Sequence, residues 1–330
     1  MCILFFLISQ AFSTDLNDIK DPMVINELVT VYRYYPYSEE IPENPSSSSK
    51  YPIHIDWMAN LDNSKRLSEL SIPGTHETCA RHGGALTECQ SLSLMDQLKA
   101  GIRFIDIRCR HINDVFTIHH GKVYQQINFG GGVRDVCIEF LKENPTEFIL
   151  MLVKPEHTEK DCTRSFCETM QTYINYNEDY FYLNEGNPKV EDVRGKIVLI
   201  RRFQSDINPM GNDISFVDNA IFTSTTSIVA RVQDCYHVNT LFDREKKWGH
   251  VKQILEESRE DKDKNTFYLN YGSGASSGCY PYSVAEYTTP KIGSYLKESL
   301  EEKVHCGVLL VDFFEKYFDD LVYYIIERNY

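Results

Sequence analysis

The stretch Phe148-Ile149-Leu150-Met151-Leu152-Val153 is apolar at six consecutive positions. A strand with one wet face alternates apolar and polar residues, so an uninterrupted run of this kind suits a parallel strand covered on both faces. Shorter apolar or β-branched runs flank it, and strands are predicted at Leu67–Ile72, Ile102–Ile107, Val115–His119, Phe148–Val153, Lys196–Ile200, Ala220–Val232, Thr266–Leu269 and Gly307–Val311. Amphipathic stretches fill most gaps, giving helices at Ser91–Ala100, Val133–Glu143, Glu245–Arg259, Tyr282–Glu302 and Tyr317–Glu327. Eight strands alternating with helices predict an α/β fold, a distorted TIM-type β/α barrel forming a single catalytic domain over residues 53–330. The distortion is expected where only the polar turn Arg110 to Asp114 separates two strands, which should pair as a hairpin.

Upstream of the barrel the composition changes. The segment from Pro36 to Pro52 carries four prolines and the run Ser46-Ser47-Ser48-Ser49, so residues 14–52 read as an N-terminal arm and Pro/Ser-rich linker. Residues 1–13 read as a signal peptide, because Cys2 to Ile8 is apolar and Ala11-Phe12-Ser13 has a small-x-small pattern. Secretion is therefore expected, although a positive n-region is missing. Loss of that peptide would leave nine cysteines, an odd number, with the spacings Cys79 to Cys89 and Cys162 to Cys167 suited to local disulfides. Cys79-x-x-His82 followed by Cys89 has a zinc-like look but lacks a fourth ligand, so no metal is expected.

The 330 residues contain 34 Lys and Arg against 48 Asp and Glu, a net charge of −14. With 42% hydrophobic residues the chain has enough apolar material for a packed core, and the acidic balance disfavours nucleic acid as a partner. No run approaches the roughly 20 apolar residues that span a bilayer. No Gly-x-Gly-x-x-Gly or Walker sequence follows a strand, so no nucleotide cofactor is expected.

Charged residues recur where the predicted strands end: Thr75-His76-Glu77, Asp106 and Arg108, His119-His120, Lys154, Arg201-Arg202, Asp234 and Asp312. In a β/α barrel these ends share one rim, where active sites lie. Alternation places Asp106 and Arg108 on one face of their strand. Each residue alone has a bland reading, as a cap, a satisfied surface histidine or a buried ion pair. Together, two histidines with acidic partners and several cations match phosphodiester cleavage: one imidazole takes a proton from the attacking hydroxyl and the other protonates the leaving oxygen. Arg and Lys would stabilise charge on the phosphoryl oxygens.

The ordered series Ser71-Ile72-Pro73-Gly74-Thr75-His76, Gly101-Ile102-Arg103-Phe104-Ile105-Asp106-Ile107-Arg108, His119-His120-Gly121, Asn144-Pro145-Thr146-Glu147 leading to Lys154, Gly195 to Arg202, Val232 to Tyr236 and Val311-Asp312 resembles the X-domain of phosphatidylinositol-specific phospholipase C, of the bacterial type. The resemblance runs from about Trp57 to the C-terminus. It implies a metal-independent enzyme without cofactor that releases diacylglycerol and inositol 1,2-cyclic phosphate. It implies His76 as general base oriented by Asp312, His120 as general acid and Arg108 against the phosphate. Lys154, Arg202 and Asp234 would bind inositol hydroxyls, with Tyr236 stacked on the sugar ring. Partners implied are a phosphatidylinositol-containing membrane surface, touched peripherally, and GPI-anchored proteins as further substrates; a monomer is expected. Bacterial members typically carry Asp after the first histidine, whereas this chain has Glu77, whose extra methylene is expected to retune the general acid.

Tyr271, Tyr280, Tyr282 and Tyr287 surround a Gly- and Ser-rich loop and are expected to touch the lipid interface. The residues also admit three rival readings. Gly274-Ala275-Ser276-Ser277-Gly278 fits a serine-hydrolase elbow with His305 downstream. Glu77 with Asp106 could hold calcium in a related phosphodiesterase, although Arg108 disfavours it. The third rival is a catalytically weak lipid-binding relative.

Overall fold

Every side chain from Phe148 to Val153 is buried, as an apolar run in a doubly covered strand requires. The computed structural model describes residues 51–276 and 278–330; the signal peptide read at 1–13 and nearly all of the arm at 14–52 lie outside the described residues. In chain order the elements are β1 (Ile72–Thr75), α1 (Leu94–Lys99), β2 (Phe104–Ile112), β3 (Val115–His120), β4 (Val123–Asn128), α2 (Asp135–Glu143) and β5 (Ile149–Pro155). Then follow α3 (Phe166–Asn175), β6 (Phe181–Tyr182), α4 (Val190–Val193), β7 (Ile197–Arg201), β8 (Asn212–Asp213), β9 (Ile221–Thr225) and β10 (Val229–Gln233). The chain closes with α5 (Arg244–Glu260), β11 (Phe267–Tyr271), α6 (Pro281–Glu298), β12 (Val308–Val311) and α7 (Leu321–Ile326).

The strands join in the order β6-β7-β5-β2-β1-β12-β11-β10-β9. From β6 to β10 every neighbour is parallel, which makes eight parallel strands, and β9 adds an antiparallel edge. Among the described residues no pairing joins β9 or β10 to β6, β7 or β8. The sheet therefore curls as an α/β barrel of TIM type with an open seam. Helices take the outside: Ser93 caps α1 by accepting from the Asp96 amide, and Ser165 with Glu168 forms a capping box on α3. One continuous apolar cluster runs from Trp57 to Ile326.

The turn after Arg110 makes β2 and β3 an antiparallel pair, as expected, and β4 extends that excursion. Gly74 lets β1 lie against β2, since a Cβ there would stand 3.0 Å from that of Phe104.

Several boundaries differ from expectation. Leu67–Ile72 is not a strand: Leu67–Glu69 forms a 3-10 turn, with Leu67 and Leu70 buried at helical spacing, and β1 starts at Ile72. Ala220–Val232 is two antiparallel strands, because Thr226 and Ser227 turn away to hydrogen-bond Asp213 O. Helix Tyr282–Glu302 stops at Glu298, and Tyr317–Glu327 is helical only over Leu321–Ile326, capped by Asp320. The expected disulfides are absent, and Cys79, Cys89, Cys162 and Cys167 are free thiols. Cys162 Sγ donates to His111 O and Lys160 O, whereas Cys167 Sγ lies 3.2 Å from Asp206 Oδ1, so the two sulfurs serve different partners.

Candidate active site

The C-terminal ends of β1, β5, β7, β10 and β12, the middle of the longer β2 and the last residue of its antiparallel partner β3 place His76, Lys154, Arg202, Asp234, Asp312, Arg108 and His120 on one rim. Parallel register sets Arg108 opposite Lys154 on the neighbouring strand. His76 leaves β1 with its carbonyl accepting from Gln90 Nε2 at 2.8 Å, and its Nδ1 lies 2.9 Å from Asp312 Oδ1. The carboxylate accepts the Nδ1 proton, which leaves Nε2 as the basic nitrogen. Burial, reinforced by the charge of Arg108, holds His76 well below the ordinary histidine range, so the ring is neutral near pH 7. Burial and the nearby Glu77 push Asp312 upward, which makes it a stronger acceptor for that proton.

Glu77 follows at φ +43, a left-handed conformation that turns its carboxylate back into the site. Its Oε1 lies 2.6 Å from Arg108 Nη1 and 3.9 Å from His120 Nε2. Burial raises the Glu77 carboxyl against the pull of Arg108. Arg108 also meets Asp106 Oδ2 at 3.1 Å, the same-face pairing expected from alternation. Although burial opposes it, the permanent charges of Arg108 and Arg202 keep Asp106 below the usual carboxylate range. Asp106 in turn accepts from the Glu77 amide at 3.2 Å, so β1 and β2 lock each other's site residues.

His120 is anchored from behind, with Nδ1 2.7 Å from Thr87 O. A carbonyl can only accept, so Nδ1 carries a proton and Nε2 is left for delivery to a substrate. Its strand neighbour His119 is buried on the alternate face, its ring 5.5 Å from that of Tyr124, and takes no place in the site. Lys154 Nζ pairs with Glu156 Oε2 at 3.0 Å; burial and the like charge of Arg108 lower its pKa. The central carbon of the Arg202 guanidinium lies over the Phe216 ring, 3.4 Å from its centre. Arg201 is drawn off to Asp213 at 3.1 Å and Glu185 at 3.6 Å. Asp234 is buried, and Tyr236, half-buried, donates to Asp218 Oδ1 at 2.8 Å.

Three groups escaped the sequence reading. Glu156 accepts from the Gly121 amide at 2.9 Å and stands 4.0 Å from Arg108 Nη1, so it ties the His120 turn to the cations. The alternation that paired Asp106 with Arg108 also puts Glu156 on the face of Lys154, and could have found it. Lys247 in α5 is buried beneath the rim, donating to Gln233 Oε1 at 2.9 Å, with burial pulling its pKa down to about 8. Gln90, which fastens both His76 O and Val311 O, had no signal in its neighbourhood.

The serine-elbow reading is overturned. Ser276 follows the C-terminal end of β11, whereas His305 precedes the N-terminal end of the parallel strand β12 and is bonded to Ser258 and Leu70 O. Those two side chains lie at opposite ends of the sheet.

The arrangement supplies a neutral imidazole, a second imidazole with an outward nitrogen, and a guanidinium held by two carboxylates. A model of the phosphatidylinositol-specific phospholipase C X domain matches residues 63–203. The chain is 31% identical to a 1-phosphatidylinositol phosphodiesterase of Staphylococcus aureus over 86% of its own length and 96% of the relative's. It is 32% identical to one of Listeria monocytogenes, over 79% and 81% of the two chains. A crystal structure of a Staphylococcus aureus phosphatidylinositol-specific phospholipase C variant superposes with a TM-score of 0.77 at 30% identity, covering 83% of this chain and 97% of that one. The chain belongs to the phosphatidylinositol-specific phospholipase C family.

Proposed function

We propose that this protein cleaves phosphatidylinositol to diacylglycerol and inositol 1,2-cyclic phosphate by general acid and base catalysis without a metal ion. His76 Nε2 removes the proton of the inositol 2-hydroxyl as that oxygen bonds to phosphorus. His120 Nε2–H gives its proton to the diacylglycerol oxygen as the phosphorus–oxygen bond breaks, and each transfer contributes roughly 10²–10⁴ in rate. Asp312 holds His76 in the tautomer that leaves Nε2 basic, and Arg108 neutralises charge on the phosphoryl oxygens. Lys154, Arg202 and Asp234 bind inositol hydroxyls, with Tyr236 against the ring. The enzyme is reset when His76 gives its extra proton to water and His120 takes one back, or when water opens the cyclic phosphate with His120 as base and His76 as acid.

The single observation that carries this reading is the anchoring of both rings through Nδ1, by Asp312 and by Thr87 O, beside one guanidinium. The calcium-dependent alternative is weakened because Arg108 occupies the space between Glu77 and Asp106 that a cation would need. We place the catalytic domain at residues 53–330, preceded by the arm at 14–52. Phosphorus NMR of phosphatidylinositol vesicles treated with enzyme in EDTA should show the cyclic phosphate forming first. Turnover that stops in EDTA and returns with calcium would overturn the metal-free scheme.

Exposed Leu241 and Phe242 before α5, with the stacked pair Tyr280 and Tyr282 at the start of α6, flank this rim. They support a membrane-facing surface, whereas Tyr271 is fully buried with its ring 6.0 Å from that of His76 and takes no part in it. Tyr287 is engaged by Arg244 and Lys291.

A further inference from the structure

His111 sits at the end of β2, three residues beyond Arg108, and its side chain is buried. Its ring is wedged edge-on against Phe116 and Phe166, at 5.3 and 6.0 Å. Nε2 lies 2.9 Å from Thr169 Oγ1 on α3, with Asp114 Oδ1 further away at 3.9 Å. Nδ1 is buried without a hydrogen-bond partner, and the nearest charged atom is Glu159 Oε2 at 3.6 Å. One donor atom each from His111, Glu159 and Cys162 lie within 4.8 Å of one another.

We propose that His111, Glu159 and Cys162 form a binding site for a divalent cation of borderline softness, Zn²⁺ or its analogues, outside the catalytic rim. A tetrahedral ion about 2.0–2.3 Å from imidazole, carboxylate and thiolate needs donors roughly 3.3–3.8 Å apart, and the His111–Glu159 separation already lies in that range. If the Nε2 proton is donated to Thr169, Nδ1 keeps its lone pair for the metal, the arrangement that orients metal-bound histidines. Cys162 Sγ now rests against His111 O and Lys160 O; binding releases the thiol proton to solvent and the thiolate takes the cation. Glu159 is exposed and opens the path of entry, and a water completes the fourth position.

The loop is already pinned there. Lys160 N donates to His111 O at 2.9 Å and Asn113 N to Lys160 O at 3.0 Å. A bound ion therefore clips the β2–β3 hairpin, which ends in His120, to the loop that follows Lys154 and Glu156. It performs no step of the phosphodiester reaction.

The test is titration of the intact metal-free protein with Co²⁺, followed by the thiolate-to-cobalt charge-transfer absorption. The expected result is one equivalent bound, the band lost in Cys162→Ser and kept in Cys89→Ser. Affinity should fall roughly tenfold or more in Glu159→Gln and by roughly 10–100-fold in Thr169→Val, which cannot accept from Nε2. Cys162 and Glu159 are solvent-reachable, so their replacements leave the fold intact, and Zn²⁺ should raise the melting temperature of the parent but not of Cys162→Ser. Absence of stoichiometric binding, or a band that survives Cys162→Ser and disappears in Cys89→Ser, which would put the ion between His76 and Asp312, overturns the proposal.

Discussion

Arg108 is the residue through which the site's charges are coupled: it meets Glu77 at 2.6 Å and Asp106 at 3.1 Å, and depresses the pKa of His76. His76 must be neutral to act as base, so the rising limb of kcat/KM against pH should lie below the ordinary histidine value of about 6.5. Arg108→Gln removes a positive charge beside the imidazole and makes its protonated form cheaper. The limb should therefore move to higher pH while kcat falls roughly 10²–10³-fold, read from initial rates across pH. A limb that stays in place would separate Arg108 from the base. Glu77 makes a second case. Its extra methylene lets the carboxylate reach both Arg108 and His120 from a left-handed backbone. Glu77→Asp, the residue bacterial members typically carry, should cost about 10²-fold in kcat through misplacement of about 1 Å, without loss of melting temperature, since Asp tolerates positive φ well. The convergence of His76, Glu77, Arg108, His120, Lys154, Arg202, Asp234 and Asp312 on one rim was legible because strand ends mark them, whereas Tyr236 and the roles proposed for all of them rest on the resemblance. Lys247 and Gln90 were not legible, because their placement depends on long-range packing of α5 and the loop after β1.

At the scale of elements, the base of the sheet is held by a buried ion pair. Arg103 and Glu147 are both fully buried, bonded at 2.8 Å, and the guanidinium also donates to Leu98 O at 2.7 Å and Ile102 O at 2.9 Å. Met58 N donates to the same carboxylate at 3.1 Å, so α1, β2, β5 and the entry segment meet at one point. Glu147→Ala leaves a buried cation unpaired and should destabilise the fold by about 3–5 kcal/mol in denaturant titration. Activity per folded molecule should hold, since the pair lies at the end of β2 away from Arg108. The long apolar strands were found in the sequence because their periodicity is local. One error fell where apolar residues obey two patterns at once: Leu67 and Leu70 fit a strand run and a helical turn equally, and tertiary contact chose the turn. The two-residue strands β6 and β8 are fixed only by pairing with β7, which no local window reveals.

For the whole molecule, the proposed membrane-facing surface, with exposed aromatics on a chain of net charge −14, predicts adhesion by insertion rather than by charge. Phe242 is 92% exposed, and its replacement by Ser should reduce partition onto phosphatidylinositol-containing vesicles by roughly 10–150-fold, from ~1.5–3 kcal/mol of lost burial. Raising the salt should change that partition little, and no described helix is long and apolar enough to cross a membrane. The barrel class was legible from the covered apolar runs of β2, β5, β7, β11 and β12, although β3, counted among the eight expected strands, pairs antiparallel outside the path and β6 takes the eighth parallel place; the open seam was not legible, because closure depends on pairings between distant strands. The central claim is the division of labour between the two histidines. It is tested most directly by comparing phosphatidylinositol with a soluble inositol phosphodiester whose leaving group is a nitrophenolate, which needs no protonation. His120→Leu should lose roughly 10²–10⁴-fold on the lipid and little on the activated substrate, whereas His76→Ala should lose comparably on both. Equal losses for His120→Leu on the two substrates, or full activity of either variant on the lipid, would contradict the account.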